Sequence, residues 1–284
     1  MSAPSSPPEG ALTAEELERF CEFLYRRTGM TFGEAKRYYI DRRVNDRMEV
    51  LGVASFADYF ATLRSESKEL EAVVNAFTVN ETYFYREAHQ LRCLSRSLLP
   101  EVVRGRSAGD RVRIWSAPCS TGEEPYSIAI WLLENWPLVD AYNIEIVGSD
   151  IDTQALAEAV NGVYGERALS RMPPELADSY FEAAGTDRRL IRDLRESVTF
   201  TEANLIERSS VSAQGLFDVV FCRNVLIYFD DAARRMAAEH LYSSLRPGGF
   251  LCLGHAESMS RIDDRFQARR FEDAVVYQRP GGAA

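Results

Sequence analysis

Residues 111–136 read RVRIWSAPCSTGEEPYSIAIWLLENW, and the pattern they show recurs further along the chain. The segment RVRIWSA (111–117) is typical of a β-strand and PYSIAIWLLENW (125–136) of a helix, with Gly122 freeing the backbone to turn between them. Alternating strands and helices form βαβ crossovers, because parallel strands need long connections. We therefore predict an α/β fold with a parallel sheet covered by helices on both faces.

The other strands and helices of this sheet follow the same pattern. The runs VVFC (219–222) and FLCL (250–253) are continuously apolar, as central parallel strands are. Cys222 and Cys252 lie within them and are expected to be buried core thiols. Strands are predicted at 143–150, 197–204, 217–224, 248–254 and 274–279, and helices at 153–160 and 231–245.

A helical pattern without strands precedes this region. Four helices are predicted, beginning at Thr13, Gly33, about Ser55 and Ser67. The first opens with the capping box TAEE, and the second ends at Leu51 before Gly52. We predict a disordered tail at 1–10, an N-terminal helical domain at 11–80, a linker helix region at 81–108 and the sheet domain at 109–280.

One connection within the sheet domain is unusually long. From Gly162 to Ser197 there are about 35 residues, where roughly 2–6 are usual. PPELADSYF (173–181) is predicted to be a helix, and RRLIRDL (188–194) and RESVTF (195–200) are predicted to be short strands. We interpret residues 163–197 as a small inserted β-subdomain.

The composition restricts the classes of function. With 33 Lys and Arg against 43 Asp and Glu, the formal charge is −10, which argues against a general nucleic-acid binder. The five cysteines form no CxxC pair and the three histidines share no ligand spacing, so neither a disulfide framework nor a metal is expected. We find no secretory signal and no long apolar run, and expect a cytoplasmic protein without membrane insertion.

Polar residues follow four of the predicted strands. Ligands of open parallel sheets bind beyond the carboxyl ends of the strands, so these residues are expected to converge. Asp150 suits ribose hydroxyls or a helix N-cap, and the amide of Asn204 suits an adenine edge. The absence of a GxGxxG motif weighs against NAD, so a nucleoside pocket of another kind is predicted. Its candidate residues are Gly122, Glu123, Asp150, Asn204, Arg223, Asn224 and Tyr228.

A further candidate segment, NETYFYREAHQ (80–90), lies just before the sheet. If it is helical from about Thr82, then Thr82 and Arg86 share one face. The alternative is a linker whose aromatic residues pack on the core. His240 is expected to be structural, whereas His255 either lines the site or is structural as well.

Five segments in this order resemble the chemotaxis receptor methyltransferases, the CheR family. They are NETYFYREAHQ (80–90), WSAPCSTGEEPYSIAI (115–130), GSDID (148–152), FCRNVLIYF (221–229) and LRPGGFLCLGHAES (245–258). The resemblance spans almost the whole chain. It implies a Rossmann-like S-adenosylmethionine (SAM) methyltransferase sheet with an N-terminal all-α domain and a small inserted β-subdomain.

The resemblance also implies which residues form the site. Asp150 is expected to hold the ribose of SAM, with Asn204 and Leu205 beside the adenine. Arg86 and Tyr228 are expected near the reactive methyl as catalytic residues, and whether Arg86 contacts the carboxylate of SAM or of the substrate stays open. The implied cofactor-binding residues are Asn80, Thr82, Arg86, Glu123, Asp150, Asn204, Leu205, Arg223 and Asn224.

The function implied by the resemblance is methyl esterification of glutamate side chains on the cytoplasmic helices of chemoreceptors, which gives adaptation. A glutamate carboxylate, with a reference pKa of about 4.3, is ionised at neutral pH and needs no general base. Two alternatives are a non-catalytic SAM-binding adaptor and a SAM enzyme acting on a small carboxylic acid. Arg86 and Tyr228 favour an enzyme, and the inserted subdomain favours a macromolecular substrate.

Two surfaces are candidates for receptor contact. On the second helix, Lys36, Arg43 and Arg47 line up beside an apolar stripe and form either a dock for an acidic receptor helix or a solvated basic flank. In the inserted subdomain, YFEAAGTDRRL (180–190) is shorter and poorer in glycine than in relatives that bind a receptor C-terminal peptide. We therefore expect a monomer that works without a tether peptide.

Overall fold

The computed structural model describes residues 11–33 and 36–281. The tail predicted to be disordered, residues 1–10, lies outside the described residues. The chain divides into two compact units: Met1–Thr78 together with Tyr228–Asp230, and Val79–Ile227 together with Asp231–Ala284.

The described part of the first unit is helical. Thr13 caps the first helix, because its hydroxyl accepts from the Glu16 backbone N–H at 3.2 Å while the Glu16 carboxylate accepts from the Thr13 N–H at 2.8 Å. This confirms the predicted capping box. The second helix begins at Arg37 rather than Gly33, and ends before Gly52 as predicted. The helices are α1 (Ala14–Thr28), α2 (Arg37–Leu51), α3 (Phe56–Ser65) and α4 (Ser67–Phe77).

Aromatic rings fill the core of this first unit. The ring of Phe77 lies 5.3 Å from Phe20, 5.4 Å from Phe32 and 5.7 Å from Tyr39, measured between centroids. Phe77 is almost completely buried. Residues Tyr228–Asp230 also belong to this unit, although they lie far along the chain. A β-bridge between Met30 and Phe229 joins them to it.

The second unit contains a seven-stranded sheet and a separate three-stranded sheet. Its strands are β1 (Arg111–Ser116), β2 (Asn143–Asp150), β3 (Val163–Tyr164), β4 (Phe181–Ala184), β5 (Asp187–Leu190), β6 (Val198–Glu202), β7 (Phe217–Cys222), β8 (Leu245–Leu253), β9 (Gln267–Arg270) and β10 (Val275–Gln278). The large sheet has the order β6-β2-β1-β7-β8-β10-β9, and the small one the order β3-β5-β4.

Helices connect these strands. They are α5 (Ala88–Cys93), α6 (Leu99–Val102), α7 (Glu123–Asn135), α8 (Thr153–Asn161), α9 (Glu166–Leu169), α10 (Pro174–Tyr180), α11 (Arg192–Ser197), α12 (Arg208–Ala213) and α13 (Asp231–Ser244). A π-helical turn (Leu94–Leu98) joins α5 to α6, and Leu226–Tyr228 form a 3₁₀ turn after β7.

The pairing of the large sheet determines where a ligand can enter. Strands β6, β2, β1, β7 and β8 are parallel, and β10 runs antiparallel to both β8 and β9. The central strand β1 pairs with β2 on one side and β7 on the other, so the strand order reverses at the carboxyl ends of β1 and β7. Such a switch point is where open α/β sheets bind ligands. Cys222 and Cys252 are buried in the sheet, as predicted.

The inserted segment contains β3, α9 and β4, which were not predicted, and it contradicts the prediction at residues 192–197. The predicted helix at 173–181 is confirmed as α10, but Arg192–Ser197 form the helix α11 where strand was expected. Arg192 pairs with Glu196 one helical turn away at 2.6 Å, and Leu194 is buried. Charged residues favour a helix with such pairs over a short strand.

The segment before α5 also differs from one prediction. No helix starts at Thr82, because Tyr85 and Glu87 have φ angles of 61° and 55°, in the left-handed region. Thr82 and Arg86 therefore do not share a helical face. Phe84 and Tyr85 are buried, as the alternative of aromatic packing on the core requires.

No helix within residues 11–33 and 36–281 is both long and apolar enough to cross a bilayer.

Candidate active site at the carboxyl edge of the sheet

Asp150, the last residue of β2, is a buried carboxylate held by backbone donors. Its Oδ2 accepts from the Ser120 N–H at 2.7 Å and its Oδ1 accepts from the Asp152 N–H at 2.9 Å. Burial raises the pKa of Asp150 to about 6, against the effect of these hydrogen bonds. The carboxylate can accept further hydrogen bonds, because its two oxygens offer about four lone-pair directions.

Asn80 connects the segment before the sheet to Ser120 and Asp152, the two residues that donate to the Asp150 carboxylate. Its side-chain N–H donates to Oδ2 of Asp152 at 2.7 Å, and its side-chain oxygen accepts from the Ser120 hydroxyl at 2.9 Å. Asp152 also caps α8 through the Ala155 N–H. The N-cap role left open for Asp150 is therefore filled by Asp152.

The loop from β1 to α7 passes beside Asp150. Gly122 has a φ of 93°, and a Cβ atom there would lie 2.8 Å from Cβ of Ala159. Only glycine fits this turn without strain. Glu123, the first residue of α7, is buried and accepts from the Thr121 hydroxyl at 2.7 Å. Burial raises the pKa of Glu123 above its ordinary value.

Arg223, which follows β7, lies between two carboxylates. Its Nη1 donates to Oε2 of Glu124 at 2.6 Å, and its Nη2 lies 3.2 Å from Oε2 of Glu87. Nη2 also donates to the Arg86 carbonyl at 3.1 Å. Only 4% of the Arg223 side chain is exposed. The buried guanidinium thus joins the end of β7 to α7 and to the segment before α5.

Glu87 lies between Arg223 on one side and His255 on the other. Burial works to raise its pKa, but the charges and hydrogen bonds of Arg223 and His255 lower it below the ordinary value. Nδ1 of His255 lies 3.1 Å from Oε1 of Glu87. His255 therefore supports the site from its rim, whereas Nδ1 of His240 lies 2.9 Å from the Leu205 carbonyl.

Asn224 begins a loop that Glu257 holds in place. The Glu257 carboxylate accepts from the N–H groups of Asn224 at 2.8 Å, Leu226 at 2.8 Å and Gly254 at 2.9 Å. Asn224 has a φ of 59°. A carboxylate with three backbone donors fixes the loop after β7 against the loop after β8.

Asn204 and Leu205, which the sequence analysis expects beside the adenine, follow β6. The Asn204 N–H donates to the Ser210 hydroxyl at 2.9 Å, and its side-chain oxygen accepts from the Ile206 N–H at 3.2 Å. The preceding residue, Ala203, donates its N–H to the Asp150 carbonyl at 2.9 Å. Asn204 therefore stands beside the end of β2, next to Asp150 along the edge.

Arg86 and Thr82 lie in the segment that Asn80 and Arg223 anchor. Nη1 of Arg86 donates to the Glu81 carbonyl at 2.7 Å, and its guanidinium carbon lies 5.6 Å from the centroid of the Tyr83 ring. Both Arg86 and Thr82 are half-buried. The guanidinium keeps further donors available, because one N–H of five is used in this hydrogen bond.

The remaining sequence candidates belong to the first unit. Nζ of Lys36 lies 5.8 Å from the centroid of the Tyr228 ring. Arg43 stacks on Tyr39, with its guanidinium carbon 4.3 Å from the ring centroid. Arg47 makes a two-point ion pair with buried Glu69, at 3.0 and 2.5 Å. Of the three proposed docking residues, Lys36 is the exposed one.

The structure thus groups the sequence candidates around the switch point in two connected sets. Asn80, Asp150 and Asn204 are linked on the β2 side. Arg86 and Arg223 are linked on the β7 side through the Arg86 carbonyl. The sequence analysis did not single out the supporting carboxylates of Glu87, Glu124 and Glu257.

The donor set fits a nucleoside that also carries charge. A buried carboxylate with free acceptor directions suits a ribose diol, and the amide of Asn204 suits a base edge. The start of α7, preceded by a left-handed glycine, suits an anionic group. Among the described residues, no cluster of three or more His, Cys, Asp or Glu side chains is arranged to hold a metal ion.

Comparison with known protein families decides the identity of this fold. The CheR methyltransferase SAM-binding domain matches residues 80–275, and the CheR methyltransferase all-alpha domain matches residues 15–78. The chain belongs to the CheR methyltransferase family. The cofactor of this CheR chain is SAM, and the residues grouped at the switch point lie within the matched SAM-binding domain.

Two chemotaxis protein methyltransferases agree with this assignment. Chemotaxis protein methyltransferase 2 of Vibrio cholerae serotype O1 is 46% identical over 275 residues, covering 96% of the CheR chain described here and 95% of the relative. Chemotaxis protein methyltransferase 1 of Pseudomonas aeruginosa is 34% identical, covering 93% and 97%. The N-methyltransferase NodS from Bradyrhizobium japonicum WM9, solved with S-adenosyl-L-homocysteine, aligns over 75% of this chain and 96% of its own with a TM-score of 0.38 and 14% identity.

Proposed function

We propose that this chain methyl-esterifies glutamate side chains on the cytoplasmic helices of chemoreceptors and so provides adaptation in chemotaxis-type signalling. The observation that carries the proposal is the CheR match over both domains, combined with the buried carboxylate of Asp150 at the sheet's switch point. The names of the relatives support the chemotaxis assignment.

Methyl transfer from SAM to an ionised carboxylate requires no proton transfer by the protein. SAM, when bound, supplies a methyl group activated on a sulfonium sulfur. A carboxylate oxygen of the substrate forms the new C–O bond while the C–S bond breaks, which leaves an ester and the thioether S-adenosylhomocysteine. Since glutamate is ionised at neutral pH, no side chain has to remove a proton. The chain contributes by holding donor and acceptor in line and by excluding water.

The residues of the site divide this work. Asp150 holds the ribose, and Asn204 and Leu205 bound the adenine. Arg86 uses its remaining guanidinium N–H groups to bind a carboxylate, of SAM or of the substrate. Arg223 keeps Arg86 in place through the backbone carbonyl, because its own guanidinium is occupied by Glu124 and Glu87.

The first unit contributes the substrate-facing residues in this proposal. We propose Tyr228 as a catalytic residue that acts through its hydroxyl or its ring, and Lys36, whose Nζ lies 5.8 Å from the Tyr228 ring centroid, as a residue that attracts an acidic receptor helix. Arg43 supports this surface by stacking on Tyr39. Arg47 is less suited to docking, because Glu69 neutralises its charge.

The inserted subdomain supports a tether-free mode of action. Strands β4 and β5 are joined by a tight turn at Gly185, with a φ of 67°, and each strand has four residues. This hairpin offers a short edge for adding a peptide strand. We propose that the protein acts in the cytoplasm as a monomer, and that a receptor C-terminal peptide titrated by calorimetry shows no tight binding.

The proposed function is tested by methyl transfer from tritiated SAM to a purified cytoplasmic receptor fragment. We expect label that is released as methanol by mild base, which identifies a carboxyl ester, and that disappears when the receptor glutamates are replaced by alanine. SAM binding without any transfer would indicate an adaptor. Transfer to small carboxylic acids in preference to the fragment would exclude a receptor substrate.

A further inference from the structure

A cavity of about 660 Å³ opens beside the loop that follows β7. Its walls are Leu226 and Ile227, the first turns of α13 from Asp231 to Arg235, and the segment 256–262. We call it the α13 cavity. It lies at the carboxyl ends of β7 and β8, the same edge of the sheet as Asn224. A second cavity of about 420 Å³ shares Arg235, Arg261 and Ile262 with it.

The charged groups of the α13 cavity leave two cations without partners. Arg234 donates from Nε to the Leu226 carbonyl at 2.9 Å and from Nη1 to Asp231 at 3.3 Å. Glu257 is occupied by three backbone N–H groups. Among the described residues, Arg235 and Arg261 are exposed and form neither an ion pair nor a side-chain hydrogen bond. Two unpaired guanidinium groups on a chain of charge −10 attract an anion.

The wall of the α13 cavity is also partly apolar and exposed. Ile227 is 49% exposed although it is a large aliphatic residue, and Ile262 adjoins it in the cavity wall. Exposed aliphatic groups beside unpaired cations fit an amphipathic segment that carries carboxylates. A lone small anion would leave the aliphatic wall uncovered.

The α13 cavity and the candidate active site share the loop that follows β7. Glu257, in its wall, accepts hydrogen bonds from both Asn224 and Leu226. The loop that presents Asn224 to the cofactor edge therefore also forms the wall of the cavity. A segment bound in the cavity would lie beside the loop that carries Asn224.

We propose that the α13 cavity binds an acidic side chain that flanks the methylated glutamate on the substrate helix, with Arg235 and Arg261 contacting its carboxylate. The inference rests on the proposed function and deepens it, since it assigns a residue-level preference for acidic neighbours. Guanidinium–carboxylate pairs give both attraction and geometric selection. Ile227 and Ile262 contact the apolar side of the same helix.

The test compares Arg235→Gln, Arg261→Gln and the double variant with the wild-type chain on two receptor fragments. One fragment keeps the acidic residues that flank its methylated glutamate, and in the other these residues are changed to their amides. We expect the double variant to raise KM about ten-fold on the acidic fragment, as loss of one charge-assisted contact does. On the amide fragment wild type and variant should give the same KM. kcat and the Kd for S-adenosylhomocysteine should not change.

The matched control uses Arg96 and Arg104, which lie before β1 in the chain. Both are exposed, and neither forms an ion pair with another described residue. Their double change to glutamine should leave KM unaltered. The same fragments are titrated by calorimetry without SAM, so that docking is measured apart from catalysis. Arg-dependent binding of the acidic fragment without methyl transfer would refute the proposed function and keep the docking site. Equal KM and equal Kd for wild type and the double variant would overturn the docking site.

Discussion

Arg223 donates from Nη1 to Oε2 of Glu124 at 2.6 Å, and this contact joins the end of β7 to the first turn of α7. Glu124 in turn accepts from the Ser116 hydroxyl at the end of β1 at 2.8 Å. The two strands on either side of the switch point are thus connected through one half-buried carboxylate. These contacts therefore brace the framework of the candidate site.

Removal of Arg223 tests this framework. Arg223→Ala leaves Glu124 and Glu87 without their shared cation, and we expect a loss of about 3 kcal/mol in the free energy of unfolding, as for other broken buried pairs. Urea denaturation measures it. Arg26, which pairs with Glu22 on the surface of α1, is the control, and Arg26→Ala should cost less than about 0.5 kcal/mol. Equal effects of the two substitutions would argue against a framework role.

Cofactor affinity should depend on pH through Asp150. The carboxylate must be ionised to accept well from the ribose hydroxyls, and its pKa is raised to about 6 by burial. The Kd for S-adenosylhomocysteine should therefore be about ten-fold weaker at pH 5 than at pH 7. Calorimetry across this range checks it. Asp150→Asn should bind weakly with a flat pH dependence, and an unchanged slope in this variant would contradict the role of Asp150.

The Asp150 carboxyl should also make the stability of the cofactor-free protein depend on pH. Stability should fall as pH rises, whereas cofactor affinity should increase. Because the folded-state pKa of Asp150 lies above the value of 3.8 in the unfolded chain, the native state binds more protons between these two pH values. The free energy of unfolding therefore falls as pH rises from about 4 to about 6, and changes no further above that. The difference between wild type and Asp150→Asn isolates this contribution. A difference that is constant with pH would show that Asp150 does not titrate there.

Arg86 and Tyr228 should affect turnover to different degrees. Arg86→Ala is expected to abolish measurable methyl transfer, because a positioned guanidinium is lost, and Tyr228→Phe to reduce it less, because the ring remains. The Kd for S-adenosylhomocysteine then separates the two roles of Arg86, since it rises only if Arg86 holds the carboxylate of SAM. Tyr38, an exposed tyrosine on α2, gives the control Tyr38→Phe. Wild-type rates in Arg86→Ala and Tyr228→Phe would refute both assignments.

Substitutions at Lys36 and Arg47 should have different effects. The first should change the KM for receptor, and the second should change the free energy of unfolding. Lys36→Glu is expected to raise the KM for receptor about ten-fold without loss of stability, because Lys36 is exposed. Arg47→Ala should leave KM unchanged and cost about 3 kcal/mol of unfolding free energy, because it leaves Glu69 buried and unpaired. Lys68, exposed on α4, is the matched control for Lys36. A raised KM in Lys68→Glu would show a non-specific charge effect.

The sequence by itself determined the class of fold and the edge of the sheet where the candidate site lies. Patterns of period two and 3.6 report which face of a strand or helix is buried, so the parallel strands and the capped helix α1 could be predicted. Asp150 could be placed at the site because the carboxyl ends of parallel strands share one edge. The same reasoning failed for Arg192–Ser197, where local charge pairs outweighed the strand-like pattern.

Only the tertiary structure decided which charges are available. Arg47 and Arg223 look like free cations in the sequence, yet Glu69 lies 22 positions from Arg47 and Glu124 lies 99 positions from Arg223. Ion pairs between residues so far apart depend on how strands and helices are brought together, and no local pattern encodes them. For the same reason the sequence alone does not show that Arg235 and Arg261, which lie 26 positions apart, line one cavity without an ion pair.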